Sequence, residues 1–163
     1  MRALSLLALS CAIALNLSSA QAEPNGNLRG LKKVYMLIEN VDEDARHCGL
    51  TKEMLRSAAM YPLSSSALQI VSDLSSRVPT YYIQTGTLFE SGRCYSTINL
   101  LVYSLQREKL DYENIETFLP VAIWKTGWLG FSSINAHEKL VRGKIEELTK
   151  ILITDWNLDN KIQ

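Results

Sequence analysis

From Lys33 to Asn40 the chain alternates, with Val34, Met36 and Ile38 at one parity and Tyr35 and Leu37 at the other. A period of two predicts a strand, and apolar residues at both parities predict an interior one. From Gly49 to Met60 the period changes. Leu55, Ala58 and Ala59 recur at helical spacing, and Thr51 is suited to cap the helix start. Tyr61-Pro62 is expected to stop that helix, because the residue before a proline is pushed out of the α region. The serine-rich stretch from Leu63 to Pro79 is ambiguous. Leu68, Ile70 and Val71 fit a short strand, with a second helix as the alternative.

Thr80 to Thr85 and Cys94 to Leu105 are rich in aromatic and β-branched residues, and Glu90-Ser91-Gly92-Arg93 between them carries turn chemistry, so the pair predicts a β-hairpin. The charged stretch Gln106 to Asn114 predicts a loop. Phe118 to Lys125 predicts a further strand, closing at Thr126-Gly127-Trp128-Leu129-Gly130. Asn135 can then cap a long helix with Glu138 as its capping-box partner. Val141, Ile145, Leu148, Leu152 and Trp156 form one apolar stripe along that helix. The expected architecture is α+β: a mainly antiparallel sheet of four to five strands with two helices packed on one face, in the order β-α-β-β-β-β-α. No residue motif points to a named family.

The N-terminus changes the picture of where this domain works. Met1-Arg2 is followed by an apolar stretch from Ala3 to Leu17 and by Ser18-Ser19-Ala20-Gln21-Ala22. A basic start, an apolar middle and a small-residue exit predict a cleavable export signal, residues 1–22, cut after Ala22. The apolar stretch is too short to cross a bilayer as a helix. Cys11 lies inside it and is expected to leave with it, rather than serve as a lipid-attachment cysteine. Residues 23–30, with Pro24, Gly26 and Gly30, read as a flexible leader, and residues 31–163 as one globular domain. A periplasmic or secreted product follows. No later apolar run is long enough to insert stably in a membrane, and after loss of Arg2 the 17 basic and 17 acidic residues leave a charge one unit below neutral. Such a balance, without a basic run, gives no footprint for nucleic acid. The absence of an N-x-S/T site after the signal fits a bacterial product.

Export leaves two cysteines, Cys48 and Cys94, which in an oxidising compartment predict a disulfide. The pair also constrains topology. A simple up-and-down path would put Cys48 and Cys94 at opposite ends of the sheet, beyond the reach of an S–S bond. The expected solution is a fourth strand antiparallel to the first, reached through a crossing segment between Ser72 and Pro79. The alternatives are a redox dithiol, whose cysteines usually sit close in sequence, and a metal site of Cys48, Cys94, His47 and His137, which lacks a recurring ligand spacing. No metal is expected on that basis.

Candidate chemistry is sparse. There is no G-x-S-x-G, H-E-x-x-H, P-loop or dinucleotide fingerprint, so no catalytic residue and no cofactor are assigned. A Ser-His-Asp triad has nothing to position its nucleophile. Asp42-Glu43-Asp44 lacks the spacing of a calcium loop and reads as a solvated turn. The segment from Trp124 to Phe131 is the most promising surface, with Trp124, Trp128 and Phe131 as candidate binding residues against the alternative that the tryptophans pack under the Val141 helix. The expected function is a non-enzymatic binding or adaptor module of the bacterial cell envelope, with an envelope protein or small ligand as partner. The competing expectation is an envelope enzyme or thiol-redox protein using Cys48, Cys94 or His137.

Overall fold

A computed structural model describes residues 27–75, 78–110 and 115–161; the expected signal and residues 23–26 lie outside the described residues. The chain forms β1 (Lys33–Ile38), α1 (Glu43–His47), α2 (Lys52–Leu63), β2 (Gln69–Val71), β3 (Thr80–Glu90), β4 (Arg93–Leu110), β5 (Ile115–Ser133) and α3 (Ile134–Asn160). The five strands make one sheet in the order β2-β1-β3-β4-β5. It is an α+β fold, as the alternation of periods implies, with two departures from the expected pattern.

The sheet is mixed: its longer ladders are antiparallel, as expected, but it also holds two short parallel pairs. β1 is parallel to both of its neighbours, β2 and β3, while β3–β4 and β4–β5 are antiparallel. The α1–α2 segment supplies the long crossover that a parallel β1–β2 pair requires. Between Val71 and Thr80 the chain then returns across the sheet to enter β3 in the same direction. β4 is therefore antiparallel to β1, the arrangement that the cysteine argument demands. Cys48 and Cys94 form a disulfide with their Cα atoms 6.0 Å apart, and both are fully buried.

There are three helices rather than two. The acidic turn at Asp42 opens α1: its carboxylate accepts from the Ala45 N–H at 2.6 Å, and Glu43 and Asp44 occupy the positive end of the short helix. In α2 the cap is Thr51, whose hydroxyl accepts from Met54 N–H at 3.1 Å. That helix does not stop at Tyr61; it runs to Leu63 with Pro62 in its last turn, where only one backbone bond is lost. The cap of α3 lies two residues before the expected Asn135, with Ser133 at the N-cap position and the helix starting at Ile134. Glu138 pairs along the helix with Arg142 at 3.1 Å instead of reaching back to a cap.

All three helices cover the same face of the sheet. Val34, Met36 and Ile38 of β1, Tyr81 and Ile83 of β3, and Ile98, Leu100 and Val102 of β4 meet Leu55, Ala58 and Ala59 of α2 and the α3 stripe Val141, Ile145, Leu148, Leu152 and Trp156 in one core. Polar atoms inside are paired. The Tyr81 hydroxyl lies 2.8 Å from the Thr149 hydroxyl, and the Trp156 indole N–H donates to the Leu31 carbonyl at 2.6 Å.

Two stretches expected to be irregular are ordered. Residues 27–30, expected as leader, form a turn held on the end of α3: Leu28 is buried, and its N–H donates to Asp159 at 2.9 Å, while Gly30 N–H donates to Asn160 at 2.8 Å. The charged stretch from Gln106 to Leu110, expected as loop, continues β4 against β5, with Arg107 ion-paired to Glu116 across the ladder. β3 pairs with β4 only as far as Tyr103, so beyond it β4 and β5 continue as a two-stranded arm. A bulge at Ile123, where the register shifts opposite Val102 and Tyr103, marks its root.

Candidate binding face

With the helices on one side, side chains of the other parity form an open face. Its rows follow from the registers. Leu88, Tyr95 and Phe131 stand side by side across β3, β4 and β5, then Gly86, Thr97 and Leu129, then Gln84, Asn99 and Gly127, then Tyr82, Leu101 and Lys125. The Ser91-Gly92 turn, with φ of 51° and 74°, is the two-residue kind with two left-handed residues that matches strand twist, and it locks the β3–β4 register.

The first of these rows is apolar and open. Tyr95 and Phe131 stack at 5.6 Å between ring centroids, and the Arg93 guanidinium lies 5.9 Å from the Phe131 centroid. Leu129 is 72% exposed, Phe131 59% and Leu88 54%, values that set them apart from the core and make a contiguous surface patch. At the other end Tyr82 and Tyr103 meet edge to face at 6.1 Å. Burial, reinforced by the hydrogen bond that the Tyr82 hydroxyl donates to the Glu39 carboxylate and by that carboxylate's charge, raises the Tyr82 pKa above the usual tyrosine value. Between the two aromatic rows lies a polar trough. Asn99 donates to Gln84 at 3.3 Å, and a cavity of about 390 Å³ is lined by Gln84, Asn99, Leu101, Lys125, Thr126 and Gly127. A Cβ at Gly127 would come within 2.9 Å of the Ile98 carbonyl oxygen and 3.1 Å of Asn99 Oδ1, so glycine keeps this floor low.

Neither protein-family models nor curated proteins give a match to this sequence.

The three aromatic residues singled out from the sequence do not share a surface. Trp124 is buried on the helix side and its indole N–H donates to Asp155 of α3 at 2.8 Å. Trp128, at the same parity, packs against the core, its ring lying over Gly130 so closely that a Cβ there would overlap it. Phe131 alone of the three is on the open face. Leu88, Tyr95 and Leu129 are its neighbours there, and counting parity from Phe131 along β5 and across the hairpin is the signal that finds them.

The residues considered for chemistry are placed as follows. His137 is fully buried at the start of α3, its Nε2 2.8 Å from the Ser96 hydroxyl and its Nδ1 2.9 Å from the Ser132 hydroxyl. Ser96 in turn meets the Thr87 hydroxyl at 2.8 Å. Burial lowers the His137 pKa below the usual histidine value, so the ring is held neutral. Both nitrogens are taken by hydroxyls, Ser96 on Nε2 and Ser132 on Nδ1. His47 packs instead on Phe89, 4.3 Å between centroids, and Asp44 accepts from Phe89 N–H at 3.0 Å. Among the described residues no group of three or more His, Cys, Asp or Glu side chains is arranged to hold a metal ion, and no helix is long and apolar enough to cross a membrane.

Proposed function

We propose that this is an exported, non-enzymatic binding domain of the bacterial cell envelope, with its signal removed after Ala22, that engages its partner through the open face of the sheet around Phe131. The observation that carries the reading is the one-sided placement of α1, α2 and α3, which leaves Leu88, Leu129 and Phe131 exposed together beside Tyr95. Exposed apolar residues clustered on a rigid sheet are the usual anchors of a contact surface. A buried disulfide joining α1's C-terminal end to the β3–β4 hairpin suits a periplasmic or secreted location.

The test is capture of envelope partners by the exported protein carrying a photo-crosslinker at Leu129. Phe131→Ser and Leu88→Ser should lower crosslinking yield several-fold while leaving the melting temperature nearly unchanged. Equal yields from wild type and both variants would remove the open face from consideration.

A further inference from the structure

The polar trough between the two aromatic rows points to a ligand class. We propose that it binds a sugar chain bearing carboxylate groups, an inference that rests on the open face being the contact surface and adds what the face recognises. The row of Leu88, Tyr95 and Phe131 and the row of Tyr82, Leu101 and Lys125 are six residues apart along β4, roughly 20 Å at strand rise. Between them the floor is Gly86, Thr97, Gln84, Asn99 and Gly127, and the cavity of about 390 Å³ is within the size range of small-ligand sites.

Three features narrow the chemistry. Across the trough β4 has a strand on both sides, so its main-chain groups are engaged within the sheet, and an extended peptide would have to pair at a sheet edge, β2, β5 or the part of β3 beyond Ile83 that β1 does not reach. A ligand lying on the face must use side chains. Those at the centre are two primary amides and a threonine hydroxyl, each able to donate and accept, which matches ring hydroxyl and acetamido groups. The charge among the cavity-lining residues is Lys125, exposed and with no ion-pair partner among the described residues, while the Glu39 carboxylate lies on the opposite, β1 side at Tyr82, so an anionic group of the ligand is matched on the β5 side. The tyrosines at the trough ends offer ring faces and edges for the apolar faces of sugar rings.

The probes are the disaccharide of N-acetylglucosamine and N-acetylmuramic acid, which carries a carboxylate, and chitobiose, which has the same ring type without one. Titrated into the exported protein and followed through the side-chain amide resonances of Gln84 and Asn99, the carboxylated sugar should give saturable shifts, with chitobiose about tenfold weaker. Lys125→Gln should erase that difference, and Asn99→Ala should weaken both sugars. Absence of saturable shifts up to millimolar sugar, or binding indifferent to Lys125→Gln and Asn99→Ala, overturns the sugar assignment. If crosslinking through Leu129 still depends on Phe131 in that case, the binding-face reading stands and only the ligand class falls.

Discussion

His137 Nε2 lies 2.8 Å from Ser96 Oγ, which ties the first turn of α3 to the middle of the sheet through two fully covered polar groups. Removing the ring leaves Ser96 and Ser132 short of a partner, a loss of about 1–3 kcal/mol for a buried group. The size of this loss should depend on pH. The folded-state pKa of His137 is lowered by burial, so the unfolded chain binds the extra proton; the stabilisation is full above the unfolded value of about 6.5 and is lost as pH falls below it. Melting temperatures of wild type and His137→Gln, followed from pH 8 to pH 5, should therefore converge on acidification. A gap that stays constant would show that the neutral ring does not matter.

The Cys48–Cys94 bond closes a sequence separation of 46 residues, which in the chain-entropy model stabilises the domain by about 4 kcal/mol. The double variant Cys48→Ser, Cys94→Ser should lose about that much in urea unfolding. Because both sulfurs are buried, a thiol assay of the oxidised native protein should read zero, and reduction should require unfolding. Rapid reduction of the native protein, giving two reactive thiols, would instead favour a redox role.

Leu28 is buried with its N–H on Asp159, and Asn160 donates back to the Leu28 carbonyl at 3.0 Å. Deleting residues 23–30 removes one buried leucine and the acceptors and donors that meet the end of α3. A loss of about 2–3 kcal/mol is expected from the leucine alone, together with faster amide exchange in the last two turns of α3. Unchanged exchange there would mean that the turn contributes little.

Gly130 has no room for a side chain under Trp128. Gly130→Ala should displace the indole and cost about 1–3 kcal/mol, as overpacking does. In a nitrogen-15 correlation spectrum the Trp128 indole signal should move while those of Trp124 and Trp156 hold. If all three hold, the ring is not seated as described.

Much of this architecture was legible because the buried face imposes its period. The α3 stripe from Val141 to Trp156, the Ser91-Gly92 turn and the reach of the Cys48–Cys94 bond each follow from local rules that the tertiary fold respects. The arm from Gln106 onward was not, because a two-stranded ribbon wet on both sides has no core parity to enforce. The turn at residues 27–30 carries no local signal, because its single apolar residue, Leu28, is anchored by partners about 130 positions away. At the candidate face, nearness in sequence groups Trp124, Trp128 and Phe131. In a strand, parity decides the neighbours, and residues 128 and 131 differ in it.

The clasp between Leu28 and Asp159 also brings the two described ends of the domain together. A short linker could join residue 161 to residue 27, and new ends could be opened at the Ser91-Gly92 turn without cutting the core. Such a circular permutant would keep every strand neighbour while moving the order of synthesis, so that β4, β5 and α3 are made first, β1 and β2 follow, and β3 completes the sheet last, between β1 and β4.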